Sequence, residues 1–484
     1  MSKQNSALQS PTELPFMVTV LSDVETPASL FHKLCSDEPT AFLFESAEGD
    51  TRLARYSLIG MDPVLTVTFH NGTATVIRTE TKTTTEFCFD NPLKVLETLL
   101  AQEQQRFTAT LPADFPFAGG FVGYLGYAAT QYFDRIPQPE TRPFGIPEGF
   151  YGLYDTFIVF DHLYRKIKFI SYRSQSHLNH LLEKLSSTPH SLRPLIAPQP
   201  PTTEPDLFEG VQTVFDRERF CNVVKKCKEF ISAGEVFQIV PSQRFFVPIE
   251  SQPFDIYRNL ISLNPSPYAY FLKFPGFTYL GSSPETFVEC RQGKVVLRAL
   301  AGTRPRGTTP EADEALAQEL QSNEKELAEH FMLIDLERND LGRVCEVGSV
   351  TVGEIAQIIR YSHVMHLATE VSGTLRADKT VFDVFQSCFP RGTVSGAPKI
   401  RAMQLLAQLE PEQRGIYSGV VGYIDFNGNA DGAIAIRSAT VKDGIAHLNA
   451  GAGVVYDSDP EAEYEETRNK AKSVLRAIVS TKIQ

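Results

Sequence analysis

The chain has 484 residues, 42% of them hydrophobic, and a formal net charge of −12. That length suits two or three ordinary domains or two halves around a shared core, and the acidic balance argues against a nucleic-acid partner, which needs a basic face. No apolar run approaches the roughly eighteen residues of a membrane helix, and the opening MSKQNSALQSPTELPF has neither a secretory core nor an Arg-rich amphipathic stretch, so a cytoplasmic protein is expected.

In chain order, a helix is predicted at Pro27–Cys35 and a strand at Ala41–Glu45. A hairpin turns on Asn71-Gly72 after the alternating run Leu65–Phe69. Gly119–Tyr127 reads as a Gly-aromatic strand whose small residues mean close backbone packing, since no downstream helix carries a phosphate-binding Lys. Thr156–Phe160 and Ile167–Tyr172 form a second antiparallel pair. The Pro/Ser/Thr-rich stretch Ser186–Asp206 is the clearest linker, which divides the chain into an N-terminal part (12–185), a linker (186–207) and a C-terminal part (208–482). Beyond it come a helix over Asp216–Ala233 stopped by Gly234, and a strand Val236–Val240 with the polar Gln238 between two valines. A helix over Asn323–Leu341 opens with Asn323 capping Glu326 and buries Leu327, Phe331 and Ile334. Tyr417–Val455 reads as a meander: Val420–Phe426, a turn at Asn427-Gly428, Ala433–Val441, a turn at Asp443-Gly444, and Ala446–Asn449. Ser458-Asp459-Pro460-Glu461 starts the last helix. Long antiparallel strands with helices outside them mean α+β. The seven cysteines lack C-x-x-C spacing and read as reduced, mostly buried thiols.

Two Glu-x-x-Glu pairs, Glu326/Glu329 and Glu463/Glu466, each fall on a predicted helix, where a three-residue step puts both carboxylates on one face. Two such helices that meet offer oxygen donors to one hard cation, and Mg²⁺ favours that chemistry. A helix N-terminus alone also favours carboxylates, which is the structural alternative. Arg437, in a strand of small apolar residues, must find an anion, either a structural carboxylate or a ligand. Gly451-Ala452-Gly453 and the run Gly302–Gly307 leave backbone donors open to a small carboxylic acid. His366 is either a satisfied core residue or a proton carrier, and Glu285, at a bend after Ser283-Pro284, could serve as general acid.

The stretches GEVFQIVPSQRF (234–245), NPSPYAYFL (264–272), GSSPE (281–285), LAGTRPRG (300–307), EKELAEHFMLIDLERNDLGR (324–343), YSHVMHL (361–367), RGTVSGAPKIRAMQL (391–405), RGIYSGVVGY (414–423), AIRSA (435–439) and NAGAGVVYDSDPEAEYEETRNKA (449–471) together resemble the chorismate-utilising enzyme family. AFLFES (41–46), RYSLIG (55–60) and GGFVGYLGY (119–127) match as well, and the likeness is strongest to the branch of anthranilate synthase large subunits.

The resemblance implies a large antiparallel β-sandwich core flanked by helices, with two intertwined subdomains. It implies Mg²⁺ at Glu329 and Glu466, with Glu326 and Glu463 in the same cluster, and chorismate held by Gly302, Thr303, Tyr417, Arg437, Gly451, Ala452 and Gly453. It assigns His366 and Thr393 to the chemical steps and Glu285 to protonating the departing C4 hydroxyl. Gln238 stands where water-adding relatives carry Lys, and Ala301 where the aminodeoxychorismate branch carries a nucleophilic Lys, so direct attack by ammonia at C2 is implied. No cysteine has the setting of a glutaminase nucleophile, so a separate glutamine amidotransferase subunit, in a heterotetramer, is the implied ammonia source. Glu45, Ser46, Pro267, Tyr268 and Ala269 match the family's tryptophan-feedback site. The competing readings are an aminodeoxychorismate-forming subunit and a non-catalytic amino-acid-binding regulator on the same scaffold.

Overall fold

A computed structural model describes residues 14–46, 55–107, 109–188, 192–195, 207–361 and 364–482. Two large antiparallel sheets lie face to face. One has eleven strands, in the order 16–21, 166–171, 156–161, 56–61, 41–45, 268–274, 277–283, 438–442, 445–451, 242–248 and 212–213. The other has twelve, running from 351–352 through 364–374, 294–305, 286–291, 430–434, 420–425, 120–125, 149–154, 65–70 and 73–78 to 83–88, with 357–360 also paired to 364–374. Each sheet takes strands from both sides of the 186–207 stretch, and the α+β sandwich has both halves of the chain in one core.

Burial explains the layering. Strands Gly120–Leu125, Gly149–Tyr154 and Val420–Asp425 are buried at every position, so they are covered on both faces. Between the sheets lies an aromatic-rich core that includes Phe42, Tyr124, Phe157, Tyr270 and Tyr279. Outside the twelve-stranded sheet, helices Pro92–Gln104, Glu324–Gly342 and Val381–Cys388 close a second core. Outside the other, helices Pro27–Cys35, Gln175–Ser187, Pro253–Leu263 and Pro460–Lys482 close a third. A Cβ on Gly123 would sit 2.0 Å from Phe150 O, which is why the Gly-aromatic strand needs glycine. Six of the seven cysteines are buried and Cys88 is exposed. No described helix is long and apolar enough to cross a membrane.

Four expectations change. Helix Gln175–Ser187 runs two residues into the stretch read as linker, and Arg193 Nε donates to Asp255 Oδ2 at 3.1 Å; residues 189–191 and 196–206 lie outside the described set. Strand 236–240 shrinks to Gln238–Ile239, because its partner Gly396–Ala397 ends at Pro398, which has no N–H to extend the ladder. Phe331 is 48% exposed, and the buried face of its helix instead carries His330, Glu337 and Asp340 beside Leu333 and Ile334. The run read as one strand over 433–441 is two, Ala430–Ile434 and Ser438–Lys442, in different sheets. Arg437, with φ +52°, occupies the break between them.

A second crossing runs beside that one, where the chain leaves strand Phe277–Ser283 and enters Thr286–Arg291 through Pro284 and Glu285. Ser282 N–H donates to Arg437 O and Ile434 N–H to Glu285 O, both at 3.1 Å. The residues read as acid and as anion holder are thus neighbours at the seam between the sheets.

Candidate active site

Glu326 and Glu329 stand in the first turns of helix Glu324–Gly342, whose cap is made by Asn323 Oδ1 accepting from Glu326 N at 3.2 Å. Glu463 and Glu466 stand in the first turns of helix Pro460–Lys482, where Asp459 Oδ1 accepts from Ala462 N at 2.9 Å. The two pairs face each other within electrostatic reach. Burial pushes the Glu329 carboxyl up, the Gln238 amide offsets this by donating to Oε1 at 3.0 Å, and the Glu326 and Glu466 carboxylates raise it again. Burial raises Glu463, a hydrogen bond with Ser458 offsets this, and Glu466 raises it again; its Oε2 is buried with no partner.

Among the described residues no three His, Cys, Asp or Glu side chains form a ready-made metal cage. Glu326 is turned to Arg304 Nη1 at 3.0 Å and Glu466 to Lys470 Nζ at 2.6 Å, so protein cations neutralise two of the four carboxylates. The donors are all oxygen and gathered against their own repulsion, and one buried oxygen has no hydrogen bond. That chemistry fits a hard divalent cation such as Mg²⁺.

Glycine at 302 is demanded by its φ of +60° and by space: a Cβ there would lie 2.7 Å from Leu320 Cδ1 and 3.0 Å from Glu326 Oε2. On the neighbouring strand, His366 Nδ1 lies 2.9 Å from Gly302 O and 3.1 Å from Thr303 Oγ1. A carbonyl only accepts, so Nδ1 carries the proton and the neutral ring keeps a lone pair on Nε2. Burial lowers the His366 pKa below its usual value, with smaller opposing effects from the Gly302 bond and Glu285. Thr393 lies in the short turn Gly392–Val394, and its Oγ1 is buried with no partner.

Arg437 Nη1 donates to Lys470 O at 2.8 Å, and burial lowers its pKa against the raising influence of Tyr417, Glu285 and Glu466. Burial pushes the Tyr417 phenol up to about 12, with Arg414, Arg437 and the nearby Gly451 backbone working against that rise. A Cβ on Gly451 would come within 3.1 Å of the phenol oxygen, and one on Gly453 within 3.0 Å of Gln238 Nε2. The Ala452 N–H, expected to be open to an anion, is instead donated to Pro241 O at 3.2 Å.

The structure therefore links Glu285, His366, Tyr417, Arg437 and the four glutamates through contacts or mutual fields. Sequence reading missed Lys470, which bonds both Glu466 and Gly451 O; its place four residues after Glu466 on one helix was the available signal. It also missed the buried pair Arg391–Glu337. Arg391 Nε and Nη1 have no partner there, and burial pushes Glu337 up to about 7. The two are far apart in the chain, and nothing in the sequence signals their pairing.

A separate cavity of about 120 Å³ lies between the sheets, and Glu45, Ser46, Pro267, Tyr268 and Ala269 all line it. Burial raises the Glu45 carboxyl, which accepts from Tyr257 OH at 2.6 Å. Tyr268 OH bonds Asp431 Oδ1 and Thr286 Oγ1, both at 3.1 Å.

Residues 39–476 match the family model of chorismate binding enzymes. The chain is 42% identical to a protein of Acetivibrio thermocellus named anthranilate synthase component 1, over 96% of this chain and 95% of that one. It is likewise 42% identical to the Pseudomonas aeruginosa protein of that name, with the same coverage. Among solved structures it superposes on anthranilate synthase component I from Streptococcus pneumoniae with a TM-score of 0.77 at 34% identity, covering 94% of this chain and 99% of that one. MenF, the menaquinone-specific isochorismate synthase of Escherichia coli, shares the fold at a TM-score of 0.69 and 19% identity, covering 97% and 96% of the two chains.

Proposed function

The chain belongs to the chorismate-binding enzyme family, and from that membership we propose that it converts chorismate and ammonia to anthranilate and pyruvate in tryptophan biosynthesis. The observation that carries this reading is end-to-end similarity to relatives named anthranilate synthase component 1. Gln238 at the carboxylate cluster supports it, because an amide cannot deprotonate water and ammonia needs no such activation.

Arg437, Tyr417 and Gly453, at the end of the Gly451–Gly453 turn, bind the substrate carboxylates beside Gly302 and Thr303. Glu285 donates a proton to the C4 hydroxyl as it leaves and ammonia adds at C2. His366, with its bare Nε2, then takes the ring proton as pyruvate departs, and the Thr393 hydroxyl offers a hydrogen bond in the same cleft. Mg²⁺ bound by Glu326, Glu329, Glu463 and Glu466 would neutralise a substrate carboxylate and stabilise charge developing in the transition state.

The word component in the relatives' names signals a second subunit, and a glutamine amidotransferase that delivers ammonia suits a chain whose cysteines lack a nucleophile's setting. Tryptophan as feedback inhibitor suits the inter-sheet cavity, where Glu45 and Asp431 could meet its ammonium group.

The test is a fluorescence assay with chorismate, ammonium and Mg²⁺, with and without chelator. Anthranilate emission that disappears with chelator is expected, and glutamine in place of ammonium should give none from this chain alone. Chorismate consumption without emission would point to aminodeoxychorismate instead. Tryptophan binding by calorimetry with no turnover would point to the non-catalytic regulator.

A further inference from the structure

Arg414 carries none of the roles above, yet its donors reach three segments that adjoin residues of the substrate pocket. Its side chain is 1% exposed. Nε and Nη2 grip Glu410 at 2.8 and 2.6 Å, Nη1 donates to Val394 O at 2.8 Å and to Ser418 Oγ at 3.1 Å, and Nη2 donates to Val240 O at 2.7 Å. The guanidinium carbon lies 4.5 Å from the Tyr127 ring centre and 6.0 Å from that of Tyr417. Glu410 Oε1 in turn accepts from the Ser242 N–H at 2.8 Å and hydroxyl at 3.1 Å.

Each of these end points adjoins a residue of the site. Val394 follows Thr393, and Ser418 follows Tyr417. Val240 and Ser242 flank Pro241, whose carbonyl accepts from Ala452 N at 3.2 Å and stands 3.0 Å from where a Gly451 Cβ would be. One ion pair thus ties together three segments that lie far apart in the chain and that converge on the substrate. A buried ion pair is no guarantee of stability, since desolvation offsets the attraction, so what it holds in place matters more than its own energy. A lysine could still reach Glu410, but a single ammonium cannot reproduce the planar fork that serves Val394, Ser418 and Val240 together.

We propose that Arg414, with Glu410, is a positioning residue that sets the spacing of Thr393, Tyr417 and the Gly451–Ala452 turn around the carboxylates of chorismate. This rests on the chorismate reading above. Because the held groups bind the ground state as well as the transition state, its loss should raise KM more than it lowers kcat.

The test is steady-state kinetics of the full chain with chorismate, ammonium and Mg²⁺ for Arg414→Lys and Glu410→Gln, with Arg55→Lys as a control at a remote ion pair (Arg55–Asp161, 2.9 Å). The expected result is a rise in chorismate KM of about tenfold in both site variants, a smaller fall in kcat, and an unchanged KM in the control. The double variant Arg414→Lys/Tyr417→Phe should lose less than the product of the single losses, because both act on one carboxylate contact. A KM within about twofold of wild type with only a lower melting temperature, or strictly multiplicative losses, would overturn the proposal. If Arg414→Lys does not fold, Glu410→Gln and Ser418→Ala decide the question by the same rise in KM or its absence. Failure of the unmodified chain to turn over chorismate would instead sink the functional reading.

Discussion

The carboxylate cleft and the inter-sheet cavity are built on opposite plans. The cleft is drawn from the C-terminal part of the chain, at helix N-termini, strand breaks and tight turns, and its buried polar atoms are not all spent: Gln238 Oε1, Thr393 Oγ1 and Glu463 Oε2 have no partner. The cavity is walled mostly by strands from both halves; two of its acids, Glu45 and Asp431, already accept hydrogen bonds from Tyr257 and Tyr268, and its unspent group is a cation, Arg291 Nη1. Unspent buried groups are completed by what a site binds, and here they differ in kind: oxygens in the cleft, which suit a cation, and a guanidinium N–H in the cavity, which suits an anion. Reaction and regulation should therefore respond to different perturbations.

The largest separation should come from the metal. Chelation, or Glu329→Gln, should cut anthranilate formation by roughly a thousandfold or more while leaving the fold and tryptophan binding within about twofold of the untreated protein. Turnover that survives either treatment would remove the cation from the cleft, and tryptophan binding lost alongside it would merge the two sites. His366→Ala comes next, with a loss of roughly 10²–10⁴-fold in the step that releases pyruvate. The sign of its pH dependence follows from burial. The folded pKa lies below 6.5, so the ring is neutral near pH 7 and protonates only as the pH falls through that depressed value. Turnover should hold above pH 6.5 and fall on the acid side; an acid limb that persists unchanged in His366→Ala belongs to another group. The stability contributed by the neutral buried ring has the same sense, present above the unfolded value and lost as pH falls through the folded one.

Ser46→Ala tests the cavity alone. The tryptophan inhibition constant should rise about tenfold, the worth of one well-placed hydrogen bond, with uninhibited kcat unchanged. An unmoved inhibition curve would place the regulator elsewhere. The smallest effect is expected from Asn323→Ala, which removes a helix cap worth about 1 kcal/mol and loosens the turn that carries Glu326. Calorimetric Mg²⁺ affinity should weaken slightly, and an unchanged affinity would mean that the first turn is held by tertiary contacts instead.

Much of this was legible in the chain. Hairpin turns at Asn71-Gly72 and Asp443-Gly444 have the positive φ values that those residues tolerate. The helix at Glu324 starts at the cap read for it, Asn323. What alternation and propensity could not reveal was where one strand becomes two. Ala433–Val441 has uniform β character, and only the packing of two sheets decides that Arg437 turns out of the ladder. The polar inner face of the Glu324–Gly342 helix was hidden for a similar reason: nothing local shows that His330, Glu337 and Asp340 turn inward, because their partners Thr369, Arg391 and Lys399 arrive from distant segments. The Arg414–Glu410 clamp had a local signature in its four-residue spacing, but its reach to Val240 and Val394 is purely tertiary.

The paired crossings at Glu285 and Arg437 have a mechanical consequence. They act as rivets between two laminae, since Ser282 N–H and Ile434 N–H each fasten one crossing to the other. Any slip of one lamina over the other must stretch these fasteners first and drag the acid away from the guanidinium beside it. A molecule wedged into the gap between the layers could then quench the chemistry without touching a reacting atom, and amide exchange at Ser282 and Ile434 is where that shear would register.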